Sequence, residues 1–148
     1  MKKVILPLLA AIALAFSFSS CEHQTMRTAE VTIQPYEWVT SNNVNYFFVT
    51  KAWDELDQDV VDYGLVNVYL INRETGLQDM LPLVTPITYY YDDDNDGITD
   101  REYTISENIR FDIRYGEITF IVQDQDGELP EDMASTLPMK FRIVALGD

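Results

Sequence analysis

The densest chemistry in this chain lies in one run, Asp92-Asp93-Asp94-Asn95-Asp96-Gly97-Ile98-Thr99-Asp100. Carboxylates at 92, 94 and 96 alternate, so a tight loop can turn them toward one point. Gly97 permits the sharp bend that follows, Ile98 can offer its main-chain carbonyl, and Asp100 can bind directly or through water. An all-oxygen set suits a hard cation, and calcium takes about six to eight oxygens. The sequence thus nominates Asp92, Asp94, Asp96, Ile98 and Asp100 as a metal site with calcium as the cofactor. The competing reading is a solvated acidic hairpin tip that keeps a sheet edge from aggregating. Tyr89-Tyr90-Tyr91 and Tyr103-Thr104-Ile105 flank the run and read as strands. A site there is a hairpin-loop site of modest affinity, ~10⁻⁴–10⁻³ M.

A second reactive residue is Cys21, the only cysteine. Lys2 and Lys3 precede the almost wholly apolar run 4–16, and Phe18-Ser19-Ser20 leads into the cysteine. Charge, apolar stretch and small residues make a secretion signal. A cysteine at its cleavage point is the arrangement of a bacterial lipoprotein, whose thiol takes a diacylglycerol. Residues 1–20 are then a signal peptide and Cys21 becomes the first mature residue. A membrane span needs about 20 apolar residues, and this run is shorter. Ordinary cleavage at Ala15-Phe16-Ser17 is the alternative and would release a soluble periplasmic protein. A lone cysteine in an exported chain, however, has no disulfide partner and needs another reason to be there.

Other chemistry is removed by composition. The only histidine is His23, beside the cysteine, so Ser-His and Cys-His catalysis and His/Cys zinc sites are not available. No glycine-rich phosphate loop is present. The formal charge is −15 over 148 residues, and losing the two leader lysines makes it −17. Such a surface repels phosphate backbones, which excludes nucleic acid as a partner. A carboxylate pair of the glycosidase kind stays open, because 25 acidic residues offer many pairs.

The elements that must position these residues read as strands. Residues 21–29 are polar and aperiodic, an anchor and tether, and the domain is expected over 30–148. Val31 and Ile33 alternate with polar neighbours. The runs 46–49 and 65–71 are rich in β-formers, and Arg73-Glu74-Thr75-Gly76 reads as a hairpin loop with Gly76 at positive φ. The clearest alternation sets Ile109, Phe111, Ile113 and Tyr115 against Arg110, Asp112 and Arg114, the period of a half-buried strand. Ile118, Phe120 and Val122 follow beyond Gly116 as its hairpin partner. Asp124-Gln125-Asp126-Gly127 reads as a turn. One short helix is expected over 54–63, capped by Asp54 and ended at Gly64. Trp38 and Trp53 are assigned to the core, and strand alternation must expose at least one of Tyr89, Tyr90 and Tyr91. The sum is all-β: an antiparallel, immunoglobulin-like β-sandwich of about seven to eight strands with one helical turn, a barrel being the alternative.

Two resemblances follow from these residues. The 92–100 run resembles the calcium loops of thrombospondin type-3 repeats and the first nine positions of an EF-hand loop. It departs from the latter with Tyr103 at the twelfth position, where a bidentate Glu is needed, and Glu102 one place early. Glu37-Trp38-Val39, the run 45–70, Leu81-Pro82-Leu83, the run 115–123 and Phe141–Val144 resemble the small β-sandwich lipoproteins of Bacteroidota. Asp59-Val60 to Gly64 and Val66–Leu70 match that pattern well. The resemblance implies an envelope-facing sandwich and carries no activity with it.

Together these readings lead to a non-catalytic module, lipid-anchored at Cys21 in the cell envelope. Its place is the outer membrane, on the periplasmic or the surface face. An adhesin or glycan-binding subunit of a larger surface complex is the alternative, with a protein or glycan partner, and a small carboxylate hydrolase ranks third.

Overall fold

The computed structural model describes residues 24–147. Eight strands form two four-stranded antiparallel sheets: β1 (Thr25–Ile33), β8 (Met139–Gly147), β3 (Leu65–Ile71) and β4 (Gln78–Met80) in one, and β2 (Phe47–Ala52), β7 (Glu117–Asp124), β6 (Arg101–Arg114) and β5 (Leu83–Tyr91) in the other. With two separate, open sheets, the fold is the all-β sandwich rather than the barrel.

Period-two patterning explains the layers. On β8 every odd residue from Met139 to Gly147 is buried, and on β7 Ile118, Phe120 and Val122 are. These inner rows meet at Phe120 and Phe141, whose ring centroids lie 4.5 Å apart. Ile33, Val68, Ile109 and Ile143 fill the space around them. Trp38 lies in this core and Trp53 packs against it, as the sequence suggests. The Gly76 and Gly127 turns also form, with φ of 71° and 81°.

Two boundaries differ from the sequence reading. β1 begins at Thr25, inside the segment expected to be a tether, because residues 25–29 pair with 143–147 of β8. That partner lies over 100 residues away and leaves no local signature. The helix α1 is Gln58–Tyr63, shorter than expected, and its cap is Asp57, whose Oδ1 accepts from Val60 N–H at 2.9 Å. Residues 54–57 are spent instead on a turn, with Leu56 O accepting from Gly116 N–H at 2.8 Å. Gly64 does end the helix, but at φ −82°. Its role is close approach: a Cβ there would meet Leu146 O at 2.4 Å.

The two ends of the sandwich are distinct. Thr25, Leu65 and Gly147 lie together at one end, with α1 and the β6–β7 turn at Gly116. The β5–β6 hairpin runs the other way. Its strands continue past Glu107, where β7 stops opposite Asp124, to the pair Tyr91–Arg101. Six further residues at ~3.4 Å each carry the 92–100 loop about 20 Å beyond β7.

Candidate functional site

The acidic loop is built by its own carboxylates. Asp92 accepts from Asp96 N–H (3.1 Å) and Gly97 N–H (2.7 Å), and Asp100 accepts from Asp93 N–H (2.7 Å). Asp100 N–H closes the loop on Tyr91 O at 2.8 Å. Asn95 and Gly97 take φ of 58° and 86°, the left-handed conformation that Asn and Gly tolerate. Oxygens of Asp92, Asp94 and Asp100 come within 4.8 Å of one another. Asp96 stays outside that group, its Oδ1 accepting from Ile98 N–H at 2.8 Å. Asp93 turns away to Arg101, 3.0 Å from Nε. The structure therefore brings together three of the five nominated residues and gives Asp96 a structural task. Three oxygen-only side chains converging in water form a donor set for a hard cation.

Beneath the loop stands a column of rings. Tyr89 and Tyr103 stack at 5.3 Å, Tyr103 and Tyr91 at 5.6 Å, and the Arg101 guanidinium lies 5.0 Å over Tyr91. Tyr91 also bonds Glu131 at 3.3 Å. Burial and the Glu131 and Tyr91 hydroxyl contacts push the Tyr103 phenol well above its ordinary range. None of the three consecutive tyrosines is fully exposed: Tyr89 is buried and its two neighbours half-buried. The column and the covering segment around Glu131 and Met133 account for Tyr89 and Tyr91.

At the foot of the column is Glu107, fully buried. Tyr89 Oη donates to its Oε1 at 2.8 Å, and its Oε2 has no partner. Burial pushes this carboxyl above the glutamate range. The sequence does carry a signal for it: Glu107 falls between Ile105 and Ile109 in the inward period. The outer face of the second sheet holds another feature absent from the sequence reading. Tyr46 and Phe48 meet edge to face at 6.1 Å, and Arg110 lies 5.3 Å over Tyr46. With Asp112, Arg114 and Thr119 the two rings border a shallow hollow of about 280 Å³.

No protein-family model, curated protein or solved structure matches this chain. The expected signal peptide, Cys21 and the start of the expected tether lie outside the described residues. Among the described residues no helix is long and apolar enough to cross a membrane.

Proposed function

We propose that this chain is a lipid-anchored, non-catalytic module of the bacterial envelope, of the kind its resemblance to the Bacteroidota sandwich lipoproteins implies. The observation that carries the reading is the short gap between Cys21 and the first ordered strand. Gln24 and Thr25 follow within a few residues, and a domain hung that closely below a cysteine suits attachment through it. Among the described residues Glu107 is the one fully buried acid, and its Oε1 takes the Tyr89 hydroxyl inside the core, which supports a structural role for it. Calcium at Asp92, Asp94 and Asp100 would stiffen the distal loop, which the alternating charges otherwise strain. Acylation is tested by mass spectrometry of the N-terminal peptide from membranes, in wild type and Cys21→Ser. A diacylated Cys21 in the first and a soluble or uncleaved second are expected. A correctly cleaved, membrane-bound Cys21→Ser protein without acyl label would overturn the reading.

A second reading, glycan capture, is favoured by Tyr46 and Phe48 with Asp112 and Arg114 beside them, because rings flanked by polar groups bind sugar faces. Loss of binding to an oligosaccharide array in Phe48→Ala would support it. Binding that is absent from the wild type would remove it.

A further inference from the structure

We infer that the end of the sandwich carrying Tyr63, Leu65 and Met26 rests on the phospholipid surface that holds the anchor. The inference rests on attachment at Cys21. Three residues of chain from Cys21 to Gln24 reach at most about 10 Å. One end of the domain must then lie at the headgroup layer, and the fold decides which. Thr25 pairs with Gly147, and Leu65 pairs with Leu146, so the proximal end is the one built by these residues.

That end is dressed differently from the rest of the same sheet. Met26, Leu146 and Leu65 stand in register across β1, β8 and β3, so their side chains form one row on the outer face. Met26 is 66% exposed, Leu65 53%, and Tyr63, at the end of α1, 87%. A hollow of about 470 Å³ opens among Gln24, Tyr63, Leu65 and Leu146. The next row along the face is mixed, Thr28, Val144 and Asn67, and the row after it joins Glu30 and Arg142 on β1 and β8 to Tyr69 and Met80 on β3 and β4. Glu30 bonds Arg142 at 2.5 Å and, one row farther on, Lys140 at 2.6 Å. Along β1 and β8 the outer face thus passes from Met26 and Leu146 to an ionic cluster with distance from Cys21, which is the polarity order of a membrane interface. Tyrosine, with an apolar ring and a polar tip, suits that depth. The acidic 92–100 loop lies at the opposite end, away from lipid. Asp59 and Asp62 on α1 disfavour anionic lipid, so the fitting surface is zwitterionic.

Native residues provide the probes. Mature chain 21–148 is coupled through its Cys21 thiol to a maleimide lipid in phosphatidylethanolamine–phosphatidylcholine vesicles, then exposed to peroxide and hydroxyl radicals, with the uncoupled chain as reference. Met80 and Tyr36 serve as internal controls, because they are comparably exposed, at 56% and 79%, but Met80 stands two rows farther along the sheet and Tyr36 follows the far end of β1. Coupling is expected to slow modification of Met26 and Tyr63 several-fold relative to Met80 and Tyr36. Equal slowing of all four, none at all, or preferential slowing of Met80 or Tyr36 would each overturn the inference. Because the coupling is chemical, this outcome is independent of whether the cell acylates Cys21.

Discussion

Glu107 shows how one side chain can set the response of the fold to pH. Its carboxyl is held above the glutamate range by burial, against the Tyr89 hydrogen bond, with the Asp124 charge adding to the upward push. The folded state binds that proton more tightly than the unfolded chain does. Its contribution is complete below the unfolded glutamate range and is lost as pH rises through the raised folded value. Glu30, Glu37 and Asp57 act in the other direction. Hydrogen bonds from Lys140 and Arg142, from Gln34 N–H and Lys51, and from Val60 N–H and Arg27 hold them below the usual carboxylate range. Their contribution is present above the unfolded carboxylate values and is lost as pH falls through the lower folded ones. Melting temperature should therefore peak on the acid side of neutrality. Glu107→Gln, which can still accept from Tyr89, should flatten the descending limb at higher pH and leave the acid limb in place. An unchanged upper limb would show that Glu107 ionises freely. Glu107→Ala leaves the Tyr89 hydroxyl without its acceptor and should cost about 1–3 kcal/mol in denaturant unfolding. Gly64→Ala should also destabilise, by roughly 1–3 kcal/mol, because its methyl would be driven into the Leu146 carbonyl.

Among the elements, the β5–β6 hairpin joins the column of tyrosines to the acidic loop, so an ion bound at its tip should be felt by its strands. Calcium at ten times Kd would add about 1.4 kcal/mol, a rise of a few degrees in melting temperature for a domain of this size. Since the whole surface is acidic, any divalent ion screens it, and magnesium at matched ionic strength is the required comparison. The geometry sharpens the choice of variants. Asp94→Asn with Asp100→Asn should abolish a calcium-selective shift, whereas Asp96→Asn should keep most of it, because Asp96 is bonded to Ile98 N–H outside the triad. Equal shifts with both ions would leave only an acidic turn. The strands were legible in the sequence where one face meets water, as in 109–114, since alternation there records the sheet directly, although Tyr115, expected on the apolar face, lies exposed in the turn. The 92–100 loop was legible for the same reason: its contacts are local. Thr25–Ala29 and the Asp57 cap were not, because their partners are set by tertiary pairing. Glu107 and the row of Met26, Leu65 and Leu146 gain meaning only once the strands are in register.

For the molecule as a whole, the two ends differ: the proximal end sets the apolar row of Met26, Leu65 and Leu146 beside the acidic residues of 54–62, and the distal end is the acidic 92–100 loop. A net charge of −15 keeps such molecules apart in solution and from anionic lipid. The core that joins the two sheets is concentrated on β8, so Phe141→Ala should cost about 3–5 kcal/mol and bring unfolding to much lower denaturant. The position of β8 also governs when folding can finish. It is the last of the eight strands in chain order, yet it lies between β1 and β3 as the sole link between them. Until residues 139–147 arrive, β1 has nothing to pair with, and closing a loop of more than 100 residues is slow. The first sheet therefore cannot close until nearly the whole chain is available, and on the proposed export route this would keep β1 unpaired while the chain is threaded. A chain halted after Pro138 should stay protease-sensitive and lack a cooperative melt. A compact, resistant product from it would mean that the second sheet folds alone.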